Sequence, residues 1–140
     1  MKKLLPLVFI VFFISCEKEK SQNDLKISIE NALGVVASQS PLGGDDLFFK
    51  DVSYGNGSRN LLDVLMSNKG ESKGVVLFFH GGGFVAGDKE DAYNELLKET
   101  MQSLLANKIT IISANYTFIN TTGNKGVISA LEDGTAVIDF

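Results

Sequence analysis

The residues best suited to chemistry are His80-Gly81-Gly82-Gly83-Phe84. Three consecutive glycines let a backbone turn through conformations closed to other residues, and they leave its N–H groups uncovered. Uncovered N–H groups suit an oxygen that gains negative charge, as a carbonyl oxygen does when its carbon is attacked. A second string, Gly70-Glu71-Ser72-Lys73-Gly74, has the G-x-S-x-G form of a turn that presents a nucleophilic serine. Such a turn must follow a buried strand and open a helix. Here the string precedes a strand and lies among charged residues, so it reads as a solvated hairpin turn and Ser72 is not expected to be a nucleophile. Acyl transfer through serine also needs an acid and a histidine base. His80 is the only histidine and lies inside the glycine run, so no nucleophile–acid–base set is expected in this chain. Glu132, Asp133 and Asp139 then read as surface or structural acids.

Other uses of the glycines fit less well. Gly81-x-Gly83-x-x-Ala86 has the outline of a dinucleotide fingerprint. In that fingerprint the helix opens within the glycines; here it is expected to open near Asp88. Its first turn would carry Asp88, Glu90 and Asp91, which repel a pyrophosphate. Gly82-x4-Gly87 is followed by aspartate rather than the lysine of a phosphate-binding loop. No cofactor and no metal are expected. A net charge of −4 argues against a nucleic-acid partner. The single cysteine, Cys16, excludes an internal disulfide framework.

The elements that must position the glycines follow from the pattern. Asp46 to Tyr54 and Leu61 to Met66 read as two strands joined through Gly55-Asn56-Gly57-Ser58, a hairpin. Val75 to Phe79, apolar on both faces, reads as a central strand. Asp88 reads as an N-cap with acids in the first turn. Tyr93, Leu96, Leu97, Met101, Leu104 and Leu105 form one helical stripe after it, with Asn107 as a left-handed stop. Ile109 to Ala114 is a buried strand, parallel to the previous one because a helix joins them. Val127 to Ile138 reads as a last helix, weakened by Gly134. The class is α/β, with an antiparallel edge at its N-terminal side.

These residues in this order resemble the first half of an α/β-hydrolase of the HGGG esterase type, the hormone-sensitive-lipase-like and bacterial carboxylesterases. Leu62-Asp63-Val64 resembles the family's second strand, and Val75 to Gly87 its strand with HGGGF-x-x-G. Ala130-Leu131-Glu132-Asp133 resembles the Ala-x-x-Asp of its next helix. Asn115 and Thr117 stand where the family carries Asp and Arg around a shared tyrosine. The resemblance covers about residues 46–140. It implies a carboxylic-ester hydrolase fold with an antiparallel hairpin followed by parallel strands and helices. It also implies that the Gly82 and Gly83 N–H groups form part of an oxyanion hole and that His80 holds the loop rather than acting as base. The family's serine follows the helix that begins near Gly126. The sequence thus reads as the N-terminal part of a larger enzyme, inactive by itself, whose substrate would be a small-molecule or carbohydrate ester. The other reading is a non-catalytic, lipid-anchored binding or structural module.

The N-terminus has its own logic. Met1-Lys2-Lys3 is basic, and Leu4 to Ile14 is apolar for about eleven residues, the length of a secretory signal core and short of a membrane span. Ser15-Cys16 before the polar Glu17-Lys18-Glu19-Lys20 resembles a bacterial lipobox. That implies residues 1–15 as signal peptide, lipidation at Cys16, and an exported protein anchored to a membrane. Residues 16–45 read as tether and entry segment, and 46–140 as the partial hydrolase domain.

Overall fold

The structure is a computed structural model and describes residues 22–140. The signal segment and Cys16 lie outside the described residues. The elements run α1 (Gln22–Leu33), β1 (Leu47–Ser53), β2 (Leu61–Met66), β3 (Gly74–Phe79), a 3-10 helix (Lys89–Tyr93), α2 (Lys98–Ala106), β4 (Ile109–Ala114) and α3 (Val127–Asp139).

The strands form one mixed sheet in the order β1-β2-β4-β3. β1 and β2 make the expected antiparallel hairpin, and β2 runs antiparallel to β4 with Leu62 opposite Ala114. β3 and β4 are parallel, from Gly74 opposite Ile109 to Phe79 opposite Ala114. Successive side chains along a strand face opposite ways, so the sheet feeds two cores. On one face Phe48, Leu65 and Ile111 pack with Met101 and Leu105 of α2 and with Leu42. On the other, Phe49, Leu62, Val64 and Ala114 pack with Val137 of α3, against Ile29 and Leu33 of α1. α1 gives structure to a stretch whose apolar spacing is not diagnostic in the sequence.

Three expectations are corrected. β3 is an edge strand, and β2 and β4 are the interior ones. An apolar strand looks the same in sequence whether its neighbour is present or not; here Val75 is 57% exposed and Phe79 38% exposed. The long amphipathic helix after Asp88 is two pieces. Asn94 adopts an extended backbone, and its Oδ1 accepts from the N–H groups of Leu96 and Leu97 (3.0 and 3.2 Å). This local bonding competes with a continuous helix and leaves Leu96 outside the stripe, 86% exposed. Finally, Lys108 rather than Asn107 takes the left-handed conformation, at φ 63°.

Candidate active-site loop

The glycine loop starts where β3 ends. Gly82 and Gly83 both have positive φ (106° and 61°), and so does Phe84 (64°). A Cβ at Gly82 would stand 2.1 Å from the carbonyl oxygen of Ala86, so the turn there admits no side chain. The reason is visible in the bonding: the Gly82 carbonyl accepts from the N–H groups of Val85 and Ala86 (3.1 and 3.2 Å), folding the loop back on itself. Among the described residues, no hydrogen bond has the Gly82 or Gly83 N–H as donor. The loop borders an apolar pocket of about 490 Å³ between the sheet end and α3, lined by Phe79, Phe84, Tyr116, Leu131 and Ile138.

His80 is buried under this loop, 3% exposed. Its Nδ1 lies 2.7 Å from the Gly81 carbonyl and its Nε2 lies 3.3 Å from Nη2 of Arg59. A carbonyl can only accept and a guanidinium can only donate. The ring therefore carries its proton on Nδ1 and offers the Nε2 lone pair to Arg59. Tyr116 stacks on the imidazole at 4.3 Å, and its hydroxyl donates to the carbonyl of His80 at 2.9 Å. Both ring nitrogens are thus engaged.

The loop's far end is held equally firmly. Asp88 caps the 3-10 helix by accepting from the Glu90 N–H (3.1 Å), and Asp91 reciprocates toward the Asp88 N–H (3.4 Å). Burial acts to raise the Asp88 pKa, but the Glu90 N–H, the Asn115 amide and the charges of Lys89 and Arg59 outweigh it, and the carboxyl sits below its ordinary value. Asn115 is central to this: its Oδ1 accepts from the Lys89 N–H (2.7 Å) and its Nδ2 donates to Asp88 (3.0 Å). A carboxylate at this position would lack that donor and would face Asp88 with like charge. Asn115, with the Asp88 carboxylate beside it, is thus self-consistent in this chain.

A second polar cluster ties the 3-10 helix to the hairpin. Lys89 is 3% exposed, with Nζ 2.8 Å from Asp51 and 3.1 Å from the fully buried Asp63. Asp63 also accepts from the Asp51 N–H and the Tyr93 hydroxyl, each at 2.8 Å. Asp51 reaches Lys89 because β1 has an irregularity between Phe49 and Val52, where Asp51 takes φ 57°. Burial lowers the Lys89 pKa, but the two carboxylates overcome it and raise the ammonium above its ordinary value. Burial and the Asp63 carboxylate push the Tyr93 phenol up.

Asp133 of α3 accepts from Asn60 (2.8 Å) and from the Thr117 N–H (2.7 Å), so it is a structural acid. Ser72 lies at the opposite end of β3 from His80. Its hydroxyl donates to the Gly74 carbonyl (2.8 Å) and accepts from Thr110 (2.8 Å). Sequence reasoning had no motif for Arg59, Lys89 or Asn60. One signal was available: Arg59 is the only arginine in the chain, placed next to a turn.

No family model matches the sequence, and no curated protein matches it. Solved structures do match in shape. A protein described as a thioesterase from Silicibacter sp. TM1040 superposes with a TM-score of 0.56 at 16% identity, over 91% of this chain and 42% of that one. A bifunctional GH43-CE protein of Bacteroides eggerthii superposes at 0.53 and 21% identity, over 65% of this chain and 12% of that one. The chain thus spans less than half the length of either neighbour. What it shares with them is the fold, a mixed α/β arrangement.

Proposed function

We propose that this chain carries the oxyanion-loop part of a carboxylic-ester hydrolase of the HGGG α/β-hydrolase type. The observation that carries the reading is the turn at Gly82 and Gly83. Both residues are at positive φ, both N–H groups are uncommitted among the described residues, and the turn opens on an apolar pocket. In this reading the two N–H groups receive the carbonyl oxygen of an ester as it becomes tetrahedral. The serine, acid and base come from polypeptide outside these residues, because the one histidine is already engaged on both nitrogens. That polypeptide would lie along the open edge of β3, next to the loop. The pocket's apolar walls suit an acyl chain or an aromatic acid.

The coding region after Phe140 tests this directly. It should continue, in frame or frameshifted, with a strand, a G-x-S-x-G turn, then Asp and His. The chain expressed with that continuation should hydrolyse p-nitrophenyl acetate, and Gly82→Asp should lower kcat by about 10²–10³. Turnover by the 140-residue chain alone, unaffected by Gly82→Asp, would refute the proposal. We also propose that Cys16 is acylated and anchors the exported protein to a membrane; retention of Cys16→Ser in the membrane fraction would argue against it.

A second reading, a lipid-anchored module without catalysis, is favoured by the full engagement of His80. It requires the 140-residue chain to unfold cooperatively as an independent unit.

A further inference from the structure

The only arginine and the only histidine of the chain touch each other. Arg59 enters from the turn between β1 and β2, far from the glycine loop in sequence. Its Nε donates to the Tyr116 carbonyl (2.9 Å), and the two protons of its Nη2 are shared among Asn115 Oδ1 and the Gly87 carbonyl (3.1 Å each) and His80 Nε2 (3.3 Å). Its Cζ lies 3.7 Å from the centre of the Phe118 ring, a cation–π stack that fixes the guanidinium plane. One planar group therefore grips the residue before the glycines, His80, and the residue that closes the loop, Gly87. It also holds the segment leaving β4.

We propose that Arg59 is a positioning residue of the oxyanion loop, acting through the tautomer of His80. Arginine has donors and no acceptor, so it accepts only a ring whose Nε2 is bare. The proton must then sit on Nδ1, from which it bonds the Gly81 carbonyl. The Tyr116 hydroxyl, whose one proton points chiefly at the His80 carbonyl, also lies 3.3 Å from that oxygen. The Gly81–Gly82 peptide is planar and trans, so its N–H points opposite to its carbonyl. Pulling the carbonyl onto the ring turns the Gly82 N–H outward. Gly87 closes directly against the ring: a Cβ there would lie 2.2 Å from His80 Nδ1. The tautomer follows from the contacts of the ring alone; its catalytic meaning rests on the proposed function above.

Because the chain has one histidine, its imidazole nitrogens give one unambiguous pair of ¹⁵N resonances. Two-bond ¹H–¹⁵N spectra of the labelled chain should show Nδ1 protonated and Nε2 bare. In Arg59→Ala this tautomer should be lost or mixed, and millimolar methylguanidinium should restore it. Arg59→Gln serves where Arg59→Ala does not fold; its side-chain amide can accept as well as donate, and should give a mixed tautomer. An Nε2-protonated ring in the parent chain would overturn the proposal, as would an unchanged single tautomer in either folded variant. In the chain joined to its continuation, Arg59→Gln should cost roughly 10²-fold in kcat with KM little changed. If Gly82→Asp leaves esterase activity intact there, the oxyanion reading fails while the tautomer result is untouched.

Discussion

At the scale of single residues, the loop is defined by what cannot be added to it. Gly87 has φ 104°, and a Cβ there would meet the His80 ring and the Gly81 carbonyl, at 2.2 and 2.6 Å. Gly87→Ala must therefore shift the histidine or unwind the turn. Overpacking of this kind costs about 1–3 kcal/mol, and the positive φ adds about 1–2 kcal/mol for a residue with a Cβ. We expect a lower urea midpoint and loss of the single His80 tautomer. Gly83→Ala meets no neighbour within 4 Å and should cost only the backbone term. Urea titrations of the two variants side by side check this; equal losses would mean that the fit around Gly87 is looser than described. The HGGG string was legible as a special turn. The reason Gly87 must be glycine was not, because the ring it faces is seven residues away.

At the scale of elements, the 3-10 helix is fastened to the hairpin by Lys89. Its ammonium is the countercharge for a buried aspartate on β2. Removing one partner of such a pair strands the other charge in the interior and typically costs about 3–5 kcal/mol. Lys89→Ala should lose that much in chemical denaturation, and Lys50→Ala very little, since the Lys50–Glu90 pair (2.7 Å) is exposed. A small effect of Lys89→Ala would contradict the role given to this cluster. Lys89 and Asp63 were hard to foresee. In the sequence, Lys89 reads as a polar residue in a first helical turn. The β1 irregularity that brings Asp51 to it leaves no recognisable mark. The helix break at Asn94 is a similar case: the apolar spacing runs on through it, and only the side-chain bonding to Leu96 and Leu97 stops the helix.

For the whole molecule, charge and the sheet edge matter most. Burial drives the Tyr54 phenol up to about 12, and Tyr93 and Lys89 are also raised. Each group holds its proton more tightly when folded, so each contributes fully below its unfolded value. For the phenols that value is 10.0, and for the ammonium 10.5. Their contributions are lost as pH rises through the folded values. Stability should therefore fall above about pH 10, with Tyr54 ionising near 12. Asp88 is lowered from 3.8, so its contribution is present above that value and disappears as pH falls through the folded one. Thermal unfolding across pH 3–12 should show both declines; constant stability from 9 to 12 would contradict the alkaline arm. The edge gives a separate prediction. β3 has an unpaired side, and Val75, Leu77 and Phe79 are partly exposed beside it. Open apolar edges invite association. Val75→Lys should reduce light scattering of the concentrated chain without lowering its unfolding midpoint, and undiminished association would place the contact elsewhere.

Local spacing alone determined the strands, the hairpin, the α/β class and the glycine turn, because these follow from side-chain alternation and from backbone freedom over a few residues. Counting alone showed that the chain has one histidine and that it stands at the head of the glycine run. Tertiary structure decided the rest. It made β3 an edge, because a strand's position depends on which partners lie beside it and not on its own residues. It set Arg59 under His80 and Lys89 against Asp63, because contacts between residues 21 and 26 positions apart arise only when the sheet and its helices bring separate segments together.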